Sequence, residues 1–344
     1  MPATRVTPVT VLTGFLGSGK STLANALVRD PRFADTAVIV NEWGEIAIDH
    51  ALVRESSENV VVLAGGCVCC RVAGDLVARL RELHFQRSAA IIPGFRRVLI
   101  ETTGLADPAP LAATLVEMPV VAARYALSGI VTTVDAEHGM GALDEHCVAL
   151  KQAAVADRLV VTKCDRADEA PVAALERRLA TLNPGATVLR SRRGDADPAR
   201  IFDTGLHRIE GAVDAAGWLN AGAYRDFAPG SSKGTHDTRI GSFVWTTEVP
   251  VDAETFGTAL ETLVELHGAR ILRMKGLVHV AGEHGPMAVH AVQHTLYPPA
   301  RLERWPDDDR RTRLVFIGIG LEKPAVAQIF DSFLVSNSRH GIQR

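Results

Sequence analysis

At 344 residues the chain has room for two domains and an ample core. Charged residues make up 22% and hydrophobic ones 47%, and a net charge of −3 leaves no electrostatic footprint for nucleic acid. No apolar run approaches the ~18 residues of a membrane span, and Met1 to Thr13 lack the basic-then-apolar plan of a signal peptide. A cytoplasmic protein that engages neither nucleic acid nor membrane is expected. Five cysteines, an odd number for a reducing compartment, argue against a disulfide framework.

Residues 9–13 are a short β-branched run that reads as a buried strand. The run leads into Gly14, Phe15, Leu16, Gly17, Ser18, Gly19, Lys20, Ser21 and Thr22, which fit the phosphate-loop pattern G-x-x-x-x-G-K-[ST]. Leu23, Ala24, Leu27 and Val28 then recur at helical spacing until Pro31. Glycines let such a loop approach a phosphate, and successive N–H groups form an anion nest at the helix N-terminus. Lys20 is expected to reach the β- and γ-phosphates, and the Ser21 hydroxyl to ligate Mg(II).

Residues 37–40 read as a second strand, which runs into a loop carrying Glu42, Glu45 and Asp49. That loop reads either as a switch sensing the γ-phosphate or as a solvated acidic segment. Residues 60–63 read as a third strand and lead into Gly65, Gly66, Cys67, Val68, Cys69 and Cys70. On an extended segment Cys67 and Cys69 face the same way, and the paired glycines let Cys70 join them. Adjacent Cys69 and Cys70 are poorly placed for an unstrained disulfide. Three thiolates suit Zn(II) first and Cu(I) or Co(II) after it, with one tetrahedral position left open for exchange or catalysis. Cys147 and Cys164 are expected to pack.

Val72, Leu76, Leu80 and Leu83 mark one face of a helix, and residues 97–100 a further strand. That strand ends in Glu101, Thr102, Thr103 and Gly104. Glu101 stands where the second Mg(II)-side carboxylate is expected, and the Gly104 N–H where it can serve the γ-phosphate. No glutamine follows Gly104, so unassisted hydrolysis is expected at well under ~1 turnover per second. Strands at 130–134 and 159–161 follow, the latter running into Thr162, Lys163, Cys164 and Asp165. The Asp165 carboxylate can accept from both the ring N–H and the exocyclic amine of guanine, whereas adenine offers it a lone pair, so GTP is favoured over ATP. The stem of Lys163 is expected along the base. Strands alternating with helices predict an α/β fold: a P-loop NTPase domain whose mostly parallel sheet binds ligand at the carboxyl ends of its strands.

Beyond residue 191 the pattern loosens, and Pro229, Gly230 and Gly234 mark a linker. The expected plan is a nucleotide domain over 1–225, a linker over 226–239 and a smaller α+β domain over 240–344. In the last, strands are predicted at 242–247, 271–280, 288–296 and 313–319. A helix capped by Asp252 runs to Gly268, and a closing helix covers 324–334. His279, His290 and His294 read either as a second metal site or as packing residues.

Taken together these motifs resemble the CobW-like GTPases, in the metallochaperone branch of the P-loop GTPases, and the layout is similar to that of the GTPases that mature hydrogenase and urease. The resemblance rests on residues 14–22, 41–45, 65–70, 101–108 and 162–165, and on 267–276, the strand near His290 and 313–318 in the second domain. It implies hydrolysis of GTP to GDP and phosphate, coupled to delivery of a metal, usually zinc, to a client protein. Carried over, Cys67, Cys69 and Cys70 are the metal ligands, Glu42 is a candidate fourth ligand or switch residue, and residues 162–165 read guanine. A cobalt-handling GTPase of cobalamin synthesis, and a nucleotide switch whose cysteines only pack, are the alternatives; a homodimer is open. Two departures stand out. Only His207 and His236 stand where many members have a His-rich tract, and Thr162 replaces the asparagine common in GTPases, which is expected to loosen the tie between the base-reading and phosphate loops.

Overall fold

The computed structural model describes residues 6–33, 35–40, 62–63, 72–202, 215–224 and 240–338. Two compact units result: Met1–Thr181 with Ala186–Val213, and Leu182–Gly185 with Asp214–Arg344. The expected boundary at residue 225 is displaced, because residues 215–224 cluster with the second unit. There Lys275 donates to the Trp218 carbonyl at 3.0 Å and holds its ammonium 5.2 Å from the indole.

The described elements of the first unit are β1 (Thr7–Gly14), α1 (Lys20–Arg29), β2 (Thr36–Val40), β3 (Val62–Leu63), α2 (Val72–Ser88), β4 (Arg97–Glu101), α3 (Ala109–Glu117), α4 (Pro119–Ala122), β5 (Tyr125–Asp135), α5 (Gly139–Glu145), α6 (Cys147–Val155), β6 (Arg158–Thr162), α7 (Glu169–Leu182), β7 (Thr187–Arg190) and α8 (Pro198–Ile201). The seven strands form one sheet in the order β3-β2-β4-β1-β5-β6-β7, every pairing parallel. Parallel strands are covered on both faces, which is why β2 and β4 are buried along their whole length and read as unbroken apolar runs. Leu23, Ala24, Leu27 and Val28 of α1 pack against Leu12, Val38, Leu99 and Val131 of the sheet. All strands point the same way, so Gly14, Val40, Glu101, Asp135 and Thr162 end on one edge, where ligands of such sheets bind.

β5 begins earlier than the predicted 130–134. Its first half contains Ser128 and Gly129, which look like a turn, but the pairing with β1 shifts register between Val9 and Thr10 and absorbs the extra residue.

The second unit contains α9 (Ala215–Leu219), β8 (Ile240–Thr247), α10 (Ala253–His267), β9 (Ile271–Val278), β10 (Met287–Val292), β11 (Thr295–Leu296), β12 (Ala300–Arg301), β13 (Thr312–Ile319) and α11 (Lys323–Ser338). Its sheet runs β11-β10-β9-β13-β8, with β12 on β10. Phe243, Trp245, Met274 and Phe316 of the strands share one core with Phe256 and Leu263 of α10 and Phe330 of α11. Asp252 caps α10 as expected, accepting from the Thr255 N–H at 2.9 Å. The predicted strand at 288–296 is instead a hairpin. Gln293 turns with φ 51°, and Val292 then pairs back with Thr295.

Candidate functional site

The phosphate loop joins the central strand to α1. Gly19 precedes the helix with φ 85° and leaves its first turn without a side-chain cap, so those N–H groups stay available to an anion. Gly14 is packed against Thr133 so closely that a Cβ would strike the Thr133 hydroxyl and carbonyl. Lys20, buried, donates to the carbonyls of Gly14 (2.9 Å) and Phe15 (3.1 Å). Ser18 and Thr133 share a hydroxyl–hydroxyl bond of 2.7 Å. The loop is thus held along its length before any ligand arrives.

Ser21 and Glu101, 80 positions apart in sequence, meet at the end of β4: the hydroxyl donates to Glu101 Oε1 at 2.6 Å. Glu101 is 4% exposed. A hydroxyl beside a carboxylate at a phosphate loop is a hard oxygen pair of the kind Mg(II) takes. After Glu101 the chain stays close to the loop. The Thr102 N–H donates to the Leu12 carbonyl at 2.9 Å, and its hydroxyl to Thr13 Oγ1 at 2.8 Å. A Cβ on Gly104 would lie 2.7 Å from the Leu16 nitrogen, so the residue is a glycine because the two loops touch there.

The loop after β6 corrects one expectation. Thr162 does not loosen the tie to the phosphate loop; its hydroxyl donates to the Ser18 carbonyl at 2.7 Å. It lies 3.4 Å from where a Gly19 Cβ would stand, near enough for a short side chain to make the link. Lys163 takes φ 56° and pairs with Asp135 Oδ2 at 2.6 Å, while Asp135 Oδ1 accepts from the Glu137 N–H at 2.8 Å. Asp165 accepts from the Arg193 N–H at 3.1 Å. Partial desolvation works against ionisation of Asp165, but its own N–H, that of Arg193 and the Arg193 guanidinium outweigh it and hold the carboxyl below the usual range.

Sequence reasoning missed three contributors. Asp135 anchors Lys163; the signal for it was a carboxylate ending a buried strand. The segment after β7 closes beside the loop after β6, the Ser191 carbonyl accepting from the Cys164 N–H at 3.2 Å and the Ser191 N–H donating to the Val161 carbonyl at 2.8 Å. Gln152 of α6 reaches the carbonyls of Gly104 and Ala106. A cavity of about 400 Å³ opens beside the loop, lined by Phe15, Ser18, Asp135, His146 and Gln152 among others, with the Phe15 and His146 rings stacked at 4.5 Å.

Glu42, Glu45, Asp49, Cys67, Cys69 and Cys70 lie outside the described residues, as do His207 and His236. Cys164 packs as expected, its thiol donating to the Val161 carbonyl at 3.2 Å and pushed up in pKa by burial. Cys147 is exposed, not packed. His279, His290 and His294 do not assemble a second centre. His279 abuts Trp305 and His290 packs on Tyr297 and Trp218. Among the described residues no group of three or more His, Cys, Asp or Glu side chains could hold a metal ion.

Comparison with known proteins follows the same outline. The model of the CobW/HypB/UreG nucleotide-binding domain matches residues 8–190, and that of the cobalamin synthesis protein CobW C-terminal domain matches residues 240–334. The zinc chaperone YjiA of Escherichia coli (strain K12) is 32% identical over 94% of this chain and 97% of its own length. The zinc-regulated GTPase metalloprotein activator 1 of Dictyostelium discoideum is 28% identical over 90% and 76%. The crystal structure of Zn(II)-bound YjiA GTPase aligns with a TM-score of 0.71 at 27% identity, over 95% of this chain and 99% of that one.

Proposed function

The chain belongs to the CobW/HypB/UreG family and carries the CobW C-terminal domain, and from that premise we propose that it is a GTP-hydrolysing zinc chaperone. In this reading it takes Zn(II) as cargo on Cys67, Cys69 and Cys70, with Glu42 as fourth ligand or switch residue, and passes it to a metal-requiring client in the cytoplasm. The observation that carries the nucleotide half is the Ser21–Glu101 contact of 2.6 Å at the mouth of the phosphate loop. The zinc half is supported by relatives described as a zinc chaperone and a zinc-regulated GTPase. Thiolate donors suit the same ion.

In the nucleotide cycle, loop N–H groups and Lys20 bind the phosphates, while Ser21 and Glu101 would hold Mg(II), which supplies charge neutralisation to the β- and γ-phosphate oxygens. Gly104 offers its N–H to the γ-phosphate. Asp165 accepts from guanine, and Lys163, tied by its ammonium to Asp135, lays its stem along the ring. Without a glutamine after Gly104, the intrinsic rate stays low until a partner assists.

β2 and β3 end on the same sheet edge as Gly14 and Glu101, Val40 lying in register with Glu101. The segments that carry Glu42 and the three cysteines leave from those ends. This arrangement favours coupling: GTP orders the segment after β2, and hydrolysis changes the hold on zinc. Such coupling is reciprocal, so zinc must alter GTP affinity by the factor by which GTP alters zinc affinity. The test is zinc affinity and stoichiometry of the reduced protein, with GDP and with a non-hydrolysable GTP analogue, against the Cys67→Ser, Cys69→Ser, Cys70→Ser triple variant. Zinc bound equally by both proteins would remove the thiolate site, and nucleotide-independent zinc affinity would remove the coupling.

A further inference from the structure

Gln152 lies within α6 and is completely buried. Its Nε2 donates to the carbonyls of Ala106 at 2.9 Å and Gly104 at 3.3 Å, and its own backbone carbonyl accepts from Thr132 Oγ1 at 2.7 Å. The two carbonyls fix the amide's orientation, since a flipped side chain would set oxygen against oxygen. Oε1 is then left buried without a partner among the described residues. A methionine of the same length would fill the space without that penalty. A side chain with half its hydrogen-bonding capacity unmet points to a role for the half that is used.

That half grips the segment after Glu101 from one side, while the phosphate loop presses on it from the other, at Leu16. Holding the Gly104 and Ala106 carbonyls orients the peptide planes that follow both residues, because C=O and N–H lie opposite each other across a trans peptide. We propose that Gln152 is the positioning residue for the triphosphate state: by holding the carbonyls of Gly104 and Ala106 it fixes the turn that follows Thr103, whose Ala106 N–H is bonded to the Thr103 carbonyl at 3.1 Å, so that the Gly104 N–H meets the γ-phosphate. The inference rests on the GTPase reading and on the place given to Gly104 in it. Gln152 touches no reacting atom in this account; it acts through the segment it holds.

The test uses the full chain with Gln152→Met, which keeps length and removes the donors, and Gln152→Glu, whose buried carboxyl keeps a donor while protonated and sets a carboxylate against two carbonyls once rising pH ionises it. Affinities for GDP and for a non-hydrolysable GTP analogue are measured with kcat and KM for GTP, after circular dichroism confirms folding. GDP affinity should stay within about twofold, while analogue affinity and kcat each fall about tenfold, the scale of one neutral hydrogen bond. In Gln152→Glu the kcat should fall, relative to the wild-type profile, as pH rises and the carboxyl loses the proton it donates. An unchanged ratio of analogue to GDP affinity with unchanged kcat in the folded Met variant overturns the proposal, and so does an equal loss for both nucleotides, which is what a packing role gives. Should the Met variant not fold, a flat pH profile in the Glu variant overturns it. Wild-type protein that fails to hydrolyse GTP would sink the GTPase reading instead, so the two failures are distinguishable.

Discussion

Replacing Thr162 with valine removes one hydroxyl and almost no volume. That hydroxyl donates to the Ser18 carbonyl at 2.7 Å, and Thr162 is 4% exposed. Valine leaves the carbonyl acceptor without this donor, a loss of about 1–3 kcal/mol. Serine keeps the donor and gives up only a methyl, which costs about 1 kcal/mol at a buried site. The expected order of stability is therefore Thr, then Ser, then Val, although Val is the better steric match to Thr. Urea unfolding of the intact chain reads it, the transition of the nucleotide unit being identified by its shift to higher urea when GDP is added. GDP affinity should fall with the same order, since the freed carbonyl lies in the loop that must stay preset for phosphate. Valine equal to or better than serine in both measurements would refute the link between the two loops.

Gly104→Ala places a methyl 2.7 Å from the Leu16 nitrogen and 2.8 Å from its Cα; backbone cannot swing aside, so a cost of about 1–3 kcal/mol and weakened triphosphate binding should appear in the same urea and titration assays. Asp165→Asn turns one acceptor into a donor and should cut the preference for GDP over ADP by ~10²-fold or more, read by competition binding. The Arg311 guanidinium, hydrogen-bonded to Asp309, holds that carboxyl down to about 2 from an ordinary 3.8. Because the folded value lies below the unfolded one, its contribution is whole above about pH 4 and is lost as pH falls towards 2. Asp309→Asn should therefore flatten the acid limb of the C-terminal unit's unfolding curve, and an unaltered limb would count against the pair.

What could be read from the chain was local. β-branched runs before Gly14, Glu101 and Thr162 gave the strands because a parallel strand is buried on both faces and needs no alternation. The phosphate loop was legible because its spacing is set by the ligand. Contacts between distant segments were not legible. Thr162 and Ser18 are 144 positions apart, and Gln152 and Gly104 are 48 apart; only sheet order and register bring such pairs together. The same applies to α9, whose link to β9 through Lys275 and Trp218 gives no signal in a sequence that loosens after residue 191.

Sheet order also explains how the phosphate loop is held. β1 lies between β4 and β5, so its end and the loop that follows are supported from both sides: Thr13 by Thr102, Ser18 by Thr133. Thr162 adds a third tie, from β6, at Ser18. The cradle is therefore rigid. Past Thr102, the segment after β4 is held by the Gln152 amide at the Gly104 and Ala106 carbonyls and by the approach of Lys151 to Asp107 at 3.8 Å, and neutral hydrogen bonds of the Gln152 kind are worth only about 1 kcal/mol each. Charge-assisted bonds to a γ-phosphate are roughly twice as strong, enough to reinforce or displace the Gln152 hold at Gly104.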